Sequence, residues 1–309
     1  MITETAPDIA TLFEEHRPVL TGVAYRMLGR VADAEDVVQE AWLRWSSAGR
    51  ERAGEETREA VREEVRNPRA YLVRITTRLA IDRLRHVQSR REAYVGPWLP
   101  EPLATDFGAG VPDTAEHAVL AESVSLAVLV VLESLSPLER AVFVLREAFG
   151  FPYGEIAAAL DKSDAAVRQL AGRARKHVEE RKPRFDVDPA ERRDLTERFL
   201  AAATGGDLGD LLALLAPEAR LVGDGGGKAR LSLRVVESAD KVARFLLGVA
   251  KKVVPGTEFR FVELNGGPAM VTAVDGEVDS VFQLDVADGL IRTVYIMRNP
   301  DKLSALAPE

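Results

Sequence analysis

Leu135–Val178 reads LSPLERAVFVLREAFGFPYGEIAAALDKSDAAVRQLAGRARKHV. Ser136-Pro137 opens a helix expected to run through Phe149. A short helix, Tyr153–Leu160, then a turn, Asp161-Lys162-Ser163, and a longer helix, Asp164–Lys182, follow. Ile156, Ala157 and Leu160 line one side of the short helix, and Val167 and Leu170 line the next. A turn this brief lets the two pack steeply, as in a helix-turn-helix. The second helix then presents Ala165, Arg168, Gln169, Gly172, Arg173 and Lys176. Arg and Gln suit bidentate contacts to base edges in a major groove, and small residues permit close approach. Cations further along suit phosphates. A helical hairpin with a solvated basic face is the plainer alternative.

A second basic helix lies upstream, in Asn67–Arg91 (NPRAYLVRITTRLAIDRLRHVQSRR). Asn67 is placed to cap it and Pro68 to occupy its first turn. Leu72, Ile75 and Leu79 supply an apolar stripe, with Tyr71 near its start expected in the core. Arg74, Arg78 and Arg85 project from another side, and Arg83, Arg90 and Arg91 extend the basic surface. Asp33–Trp45 (DAEDVVQEAWLRW) is the acidic counterpart. Val38, Ala41, Trp42 and Trp45 form its buried stripe, with Asp33 as its N-cap. Asp33, Asp36, Gln39 and Glu40 share a largely opposite face. Acid beside DNA-binding helices repels phosphate, so this face suits a basic protein partner. A solvated helix face is its plainer reading.

Bulk composition agrees with this local contrast. The 309-residue chain is long enough for two or three domains, and 46% of it is apolar. Its net charge of −8 argues against a nucleic-acid coat protein. Yet Arg66–Arg91 holds eight arginines and one acid, and Lys162–Arg184 holds eight basic residues and three acids. Local patches of this kind, not the total, set attraction to phosphate. The absence of cysteine excludes disulfides, thiolate zinc sites and thiol nucleophiles. A polar N-terminus and short apolar runs predict a cytoplasmic protein without signal peptide or membrane span.

Two boundaries divide the chain. Tyr94–Thr114 is rich in Pro and Gly and contains Trp98-Leu99-Pro100-Glu101-Pro102; its prolines forbid regular helix. Trp98 and Leu99 predict a linker that docks on another domain. Pro183–Pro189 is the second boundary. Beyond it, helices are expected at Glu191–Ala203, Leu208–Leu215 and Asp240–Val253. Strands are expected at Arg220–Val222, Leu231–Val236, Glu258–Leu264, Ala269–Val274, Val278–Val286 and Leu290–Met297. Glycine turns separate the strands, so this tail reads as an α+β domain with a curved antiparallel sheet.

Together these segments resemble the extracytoplasmic-function (ECF) family of RNA polymerase sigma factors. DAEDVVQEAWLRW looks like the family's core-polymerase-binding helix and AYLVRITTRLAIDRLR like its −10 recognition segment. The helix-turn-helix stretch looks like the region that reads the −35 element. The match spans about residues 8–180. Trp98–Pro102, Asp224-Gly225-Gly226-Gly227-Lys228 and Asn299-Pro300-Asp301-Lys302-Leu303 resemble signatures of a subgroup with a SnoaL-like (NTF2-like) C-terminal extension.

The resemblance implies a multidomain chain. An all-α domain over residues 1–93 precedes a linker over 94–114. A second all-α domain with the helix-turn-helix covers 115–183, and a cone-shaped α+β domain covers 190–309. It implies core RNA polymerase as partner, through the β′ clamp and β flap, with Asp33, Asp36, Gln39 and Glu40 at the clamp. It implies promoter DNA at Arg74, Arg78, Asp82, Arg85, Arg90 and Arg91 for −10, and at Ala165–Lys176 for −35. No metal or cofactor is expected, the free protein is expected to be a monomer, and a small molecule in the tail's interior pocket is allowed. The chain departs from the family at Arg78, where Asn is frequent, at Asp161, where Gly is usual, and at Leu170, where a basic residue is frequent. Asp161 still tolerates a left-handed turn.

SnoaL-like folds include isomerases and cyclases, so residual catalysis is the rival for the tail. All four histidines (His16, His86, His117, His177) lie outside Ala190–Glu309. Asp224, Asp275, Glu277 and Asp279 remain as potential bases, but turn chemistry accounts for them. A regulatory module is the reading adopted. A helix-turn-helix regulator working without polymerase is the remaining alternative.

Overall fold

The computed structural model describes residues 9–51, 67–91, 93–104, 125–181 and 189–306. Side chains at 48–51, 88–91, 189 and 305 are outside that description, and so are residues 105–124, which hold the end of the expected linker and the start of the second expected all-α domain. Two compact units emerge. Met1–Ser89, Pro112–Glu122 and Leu132–Glu180 form the first, and Arg90–Val111, Ser123–Val131 and Arg181–Glu309 form the second.

The first unit is helical. Helices α1 (Ile9–Leu28) and α2 (Val31–Glu51) form a tight hairpin. Gly29 turns the chain with φ 72°, its N–H returning 2.7 Å to the Tyr25 carbonyl. Trp45, 1% exposed, anchors the hairpin and donates from Nε1 to the Ile9 carbonyl at 3.0 Å. Helix α3 (Pro68–Arg91) starts as its sequence dictates, with the Asn67 side chain accepting from Ala70 N–H at 3.0 Å. Its buried face is broader than the expected stripe. Leu72, Val73, Ala80, Ile81 and Leu84 are buried, whereas Ile75 and Leu79 are half-buried. Tyr71 leans on Trp45, ring centroids 5.6 Å apart.

Helix α4 (Leu126–Leu132) ends in this unit, and α5 (Pro137–Phe143) opens on a full capping box between Ser136 and Glu139. The expected helix through Phe149 is not uniformly α. From Val144 to Ala148 it widens into a π-turn, closed by Gly150 at φ 68°. Helices α6 (Tyr153–Leu160) and α7 (Asp164–Arg181) form the helix-turn-helix. Asp161 takes the left-handed conformation, φ 55°, and supplies the turn usually assigned to glycine.

The second unit stacks helices α8 (Pro189–Gly205), α9 (Leu208–Leu214) and α10 (Ala239–Ala250) on a six-stranded sheet. Its strands are β1 (Leu215–Asp224), β2 (Val236–Glu237), β3 (Glu258–Leu264), β4 (Gly267–Val274), β5 (Glu277–Ala287) and β6 (Leu290–Met297), ordered β2-β1-β6-β5-β4-β3. The expectation of an antiparallel sheet needs correction. β3 to β6 form an antiparallel meander, but β1 lies parallel to β6. The long excursion through α10 and the meander brings the last strand back beside the first, a return that parallel pairing requires. Leu231–Val236 pairs only at Val236, beside Leu221. Leu231 instead folds over Gly223, where a Cβ would fall 2.5 Å from its side chain.

Both sheet faces are covered. One packs on the helices through Phe199, Leu211, Leu221, Val242, Leu246 and Ile296. The other packs on linker and α4 residues, with Leu99 and Leu126 set among Leu264, Val271, Tyr295 and Met297. Among the described residues no helix is long and apolar enough to cross a membrane.

Candidate functional site

Three surfaces on the first unit carry the residues singled out for recognition. On α7, Ala165, Arg168, Gln169, Gly172, Arg173 and Lys176 are all exposed, while Val167, Ala171, Ala174 and Val178 face the core. A Cβ at Gly172 would meet nothing within 4 Å, so packing inside the chain does not demand this glycine. The cations are parked on nearby carboxylates: Arg168 on Asp164 at 2.9 Å, Arg173 on Glu139 at 3.1 Å, Arg175 on Glu147 at 2.7 Å. Pairs of this kind at a surface are worth at most about 1 kcal/mol, so they hold the three guanidinium groups only weakly. The Arg168 guanidinium also lies 4.6 Å above the Tyr153 ring, which holds it at the helix start.

On α3, Arg74, Arg78, Asp82 and Arg85 follow helical spacing along one side. Arg74 lies over the Tyr71 ring at 5.2 Å, and Asp82 pairs with Arg85 at 3.1 Å. Arg78 donates from Nε to the Ala159 carbonyl of α6 at 2.9 Å. The side chains of Arg90 and Arg91 lie outside the described residues.

The acidic face of α2 divides in two. Asp36 and Gln39 are exposed and Glu40 is half-buried, bonded to Arg44 at 3.0 Å. Asp33 is not an N-cap, because α2 begins at Val31. It is 8% exposed and accepts from Arg83 at 2.6 and 3.1 Å, and Arg83 also reaches Asp36 at 3.1 Å. The bonds to Asp33 hold the Arg83 guanidinium above its ordinary pKa. Asp33 therefore ties α3 to α2, a role that needs a partner fifty residues away and leaves no local signal.

Arg140 was also missed. Its guanidinium is fully buried, with its Nε donating to the Leu132 carbonyl at 2.8 Å and Nη1 to the Met27 carbonyl of α1 at 2.6 Å and Glu133 at 2.9 Å. Burial pulls its pKa down to about 9, so it stays cationic at neutral pH. It joins the end of the α1–α2 hairpin to the start of α5.

The second unit brings the linker strip and both C-terminal signatures into one latch. Asp224, fully buried, accepts from Tyr94 Oη at 2.5 Å, Leu99 N–H at 2.8 Å and Lys302 Nζ at 2.7 Å. Lys302, 2% exposed, also donates to the Leu99 carbonyl at 2.5 Å and lies 4.0 Å above the Trp98 ring. Asn299 donates to Tyr94 Oη at 2.8 Å, and Lys228 pairs with Asp301 at 2.6 Å. The glycines are spacers. A Cβ on Gly225 would sit 2.5 Å from the Ala229 carbonyl, and Gly226, at φ 59°, lies against Asn299 and Tyr94. Prolines 97, 100 and 102 have no N–H to satisfy. Of the donors between and after them, Leu99 is taken by Asp224 and Leu103 by Asn265 Oδ1 at 3.2 Å. Leu99, Pro100, Glu101 and Pro102 are buried. Linker docking was legible at Trp98 and Leu99; the contributions of Tyr94 and Asn265 were not.

On the same sheet face, burial pushes Asp285 up to about 6 from 3.8, partly offset by Arg292 and Arg192, and burial, helped by the Asp285 charge, raises Tyr295. The folded value exceeds the unfolded one, so folding favours the neutral acid. Stability is fully present below about pH 4 and falls as pH rises toward 6. At roughly 1.4 kcal/mol per pH unit across that window, the loss is about 2–3 kcal/mol. Asp285→Asn should therefore be more stable than the parent at pH 7.5 and no more stable at pH 4, by urea unfolding.

Models of two families match the chain: sigma-70 region 2 over residues 12–91 and sigma-70 region 4 over 125–178. The ECF RNA polymerase sigma factor SigJ of Mycobacterium tuberculosis is 40% identical over 94% of this chain and 92% of its own. The probable ECF RNA polymerase sigma factor SigI of the same species is 32% identical over 97% of each. The crystal structure of SigJ superposes with a TM-score of 0.72 at 36% identity, covering 96% of this chain and 98% of that one.

Proposed function

The chain belongs to the ECF sigma factors of RNA polymerase, and from that premise we propose that its C-terminal domain controls initiation by gripping the linker between the two sigma regions. As a sigma factor it binds core RNA polymerase and directs promoter-specific initiation, and it is not an enzyme. The observation that supports control is the latch. A buried Asp224–Lys302 pair holds both the N–H and the carbonyl of Leu99 in the linker.

In this reading Asp36, Gln39 and Glu40 dock on the β′ clamp, with Asp33 holding α3 in place beneath them, and the region-4 domain meets the β flap. Arg74, Arg78, Asp82 and Arg85, with Arg90 and Arg91, serve the −10 element, and the exposed face of α7 serves −35. These two elements lie roughly 85 Å apart at about 3.4 Å per base pair. Arg78 cannot hold the Ala159 carbonyl of the helix-turn-helix and read −10 while α7 reads −35. The first unit must open, and the linker sets how far. The protein acts as a cytoplasmic monomer before it meets polymerase, a state that light scattering reads directly.

Two measurements test the reading. Reconstituted transcription with full-length protein and with a chain lacking Pro189–Glu309 should differ at least severalfold; equal output would overturn control by the C-terminal domain. Asp36→Lys with Glu40→Lys should lower affinity for core polymerase at least tenfold without changing the melting temperature by more than about 2 °C, because Asp36 is exposed and Glu40 pairs with Arg44 at the helix surface. Unchanged affinity would reassign the dock.

A further inference from the structure

Inside the second unit, α8 and α10 stand off the sheet and leave a cavity of about 620 Å³. That is within the range of small-molecule sites, about 300–1,000 Å³. Its walls are apolar: Phe199, Leu200, Leu246, Met270, Phe282 and Ile296 all face it. Val253, Val254 and Phe259 line it while remaining 44%, 54% and 44% exposed. These three side chains meet water where the cavity opens.

The polar groups are few and uneven in sign. Arg230, Lys252 and Arg298 line the space against one carboxylate, Asp279. Arg298 holds Asp279 in an ion pair and donates to the Arg230 carbonyl at 3.3 Å, which leaves the lining with an excess of positive charge. Thr272 and Ser280, paired across β4 and β5, bring their hydroxyls within 2.5 Å of one another on the same wall. No histidine is present in this domain, and the single carboxylate is committed to Arg298. The lining lacks a free base for proton transfer but offers shape, apolar area and an anion-binding end.

We propose that this cavity binds an amphiphile with an extended apolar body and one anionic head, of the long-chain carboxylic acid class. The chain lies between the helices and the sheet, and the carboxylate is held by Arg298, Lys252 and the Thr272–Ser280 hydroxyls. The proposal deepens the reading of this domain as a regulator by naming what it senses.

The test is a fluorescence titration of the full-length protein with 11-(dansylamino)undecanoic acid, displaced by octanoate, decanoate, dodecanoate, dodecanol or dodecylamine below their micelle concentrations. The expected result is saturable binding at one site. Displacement should strengthen about tenfold for each two carbons added, as burial of two methylenes gives. Dodecanol and dodecylamine should be at least tenfold weaker than dodecanoate. Ala203→Phe, which fills the cavity from α8, should abolish binding. If that variant does not fold, exposed Lys252→Gln should weaken dodecanoate severalfold and leave dodecanol unchanged. Non-saturable binding, equal displacement by dodecylamine, or headgroup preference unaltered in Lys252→Gln would overturn the proposal. The readout involves no polymerase, so its failure leaves linker control standing, and failure of the truncation experiment leaves ligand binding standing.

Discussion

Asp224→Ala should destabilise the C-terminal unit by about 3–5 kcal/mol, because it strands the ammonium of Lys302, only 2% exposed, without its counter-charge. At about 2–4 °C per kcal/mol for a unit of this size, its melting temperature should fall by about 6–20 °C. The same substitution takes an acceptor from Tyr94 and from the Leu99 N–H, so the linker loses its anchor as well as its ion pair. Protease cleavage within the linker should accelerate in step with the stability loss. Lys302→Met alone should be similarly harmful, since it leaves Asp224 charged and buried. The double variant Asp224→Ala, Lys302→Met should be milder than the sum of the two, because replacing both charges removes the desolvation cost of each. Additive losses would show that the two side chains act independently and that the latch is not held by their pairing.

Arg140→Met should cost the first unit about 3–5 kcal/mol. Methionine fills much of the volume but leaves the Leu132 and Met27 carbonyls without a donor and the Glu133 carboxylate without its cation. The loss should appear in thermal unfolding, and amide exchange should rise first at the C-terminal end of α1, where the clamp is made. Arg140→Lys should recover only part of the loss, since one ammonium cannot reproduce the planar fork that reaches both carbonyls. A change under about 1 kcal/mol for Arg140→Met would mean that apolar packing alone joins α1 to α5.

Local signals were readable where the deciding partner was also local. The Asn67 cap, the left-handed Asp161 turn and the limits of β3 and β6 all follow from residues within one turn or one strand of each other. The exposed face of α7 was readable because the 3.6-residue period places Val167, Ala171, Ala174 and Val178 on the opposite side. Distant partners left no trace in the pattern. Asp33 looks like a helix cap until Arg83 is brought to it. Arg140 sits in an amphipathic helix as any surface arginine would, and only the Met27 and Leu132 carbonyls explain its burial. Alternation identified most strands but did not say that β1 would run parallel to β6. Leu231–Val236 has the composition of a strand, yet Leu231 found a better place above a glycine. The three signature segments were visible as segments; their convergence on Asp224 was not.

The bond from Lys302 to the Leu99 carbonyl joins residues 203 positions apart. At about 5–20 residues per second, a ribosome needs roughly 10–40 s to travel that distance. Within that interval the arginine-rich helix and then the helix-turn-helix emerge and begin to fold, while Lys302, which secures the linker, has not been made. Each new copy therefore carries both helices for a time before Lys302 can close on the linker.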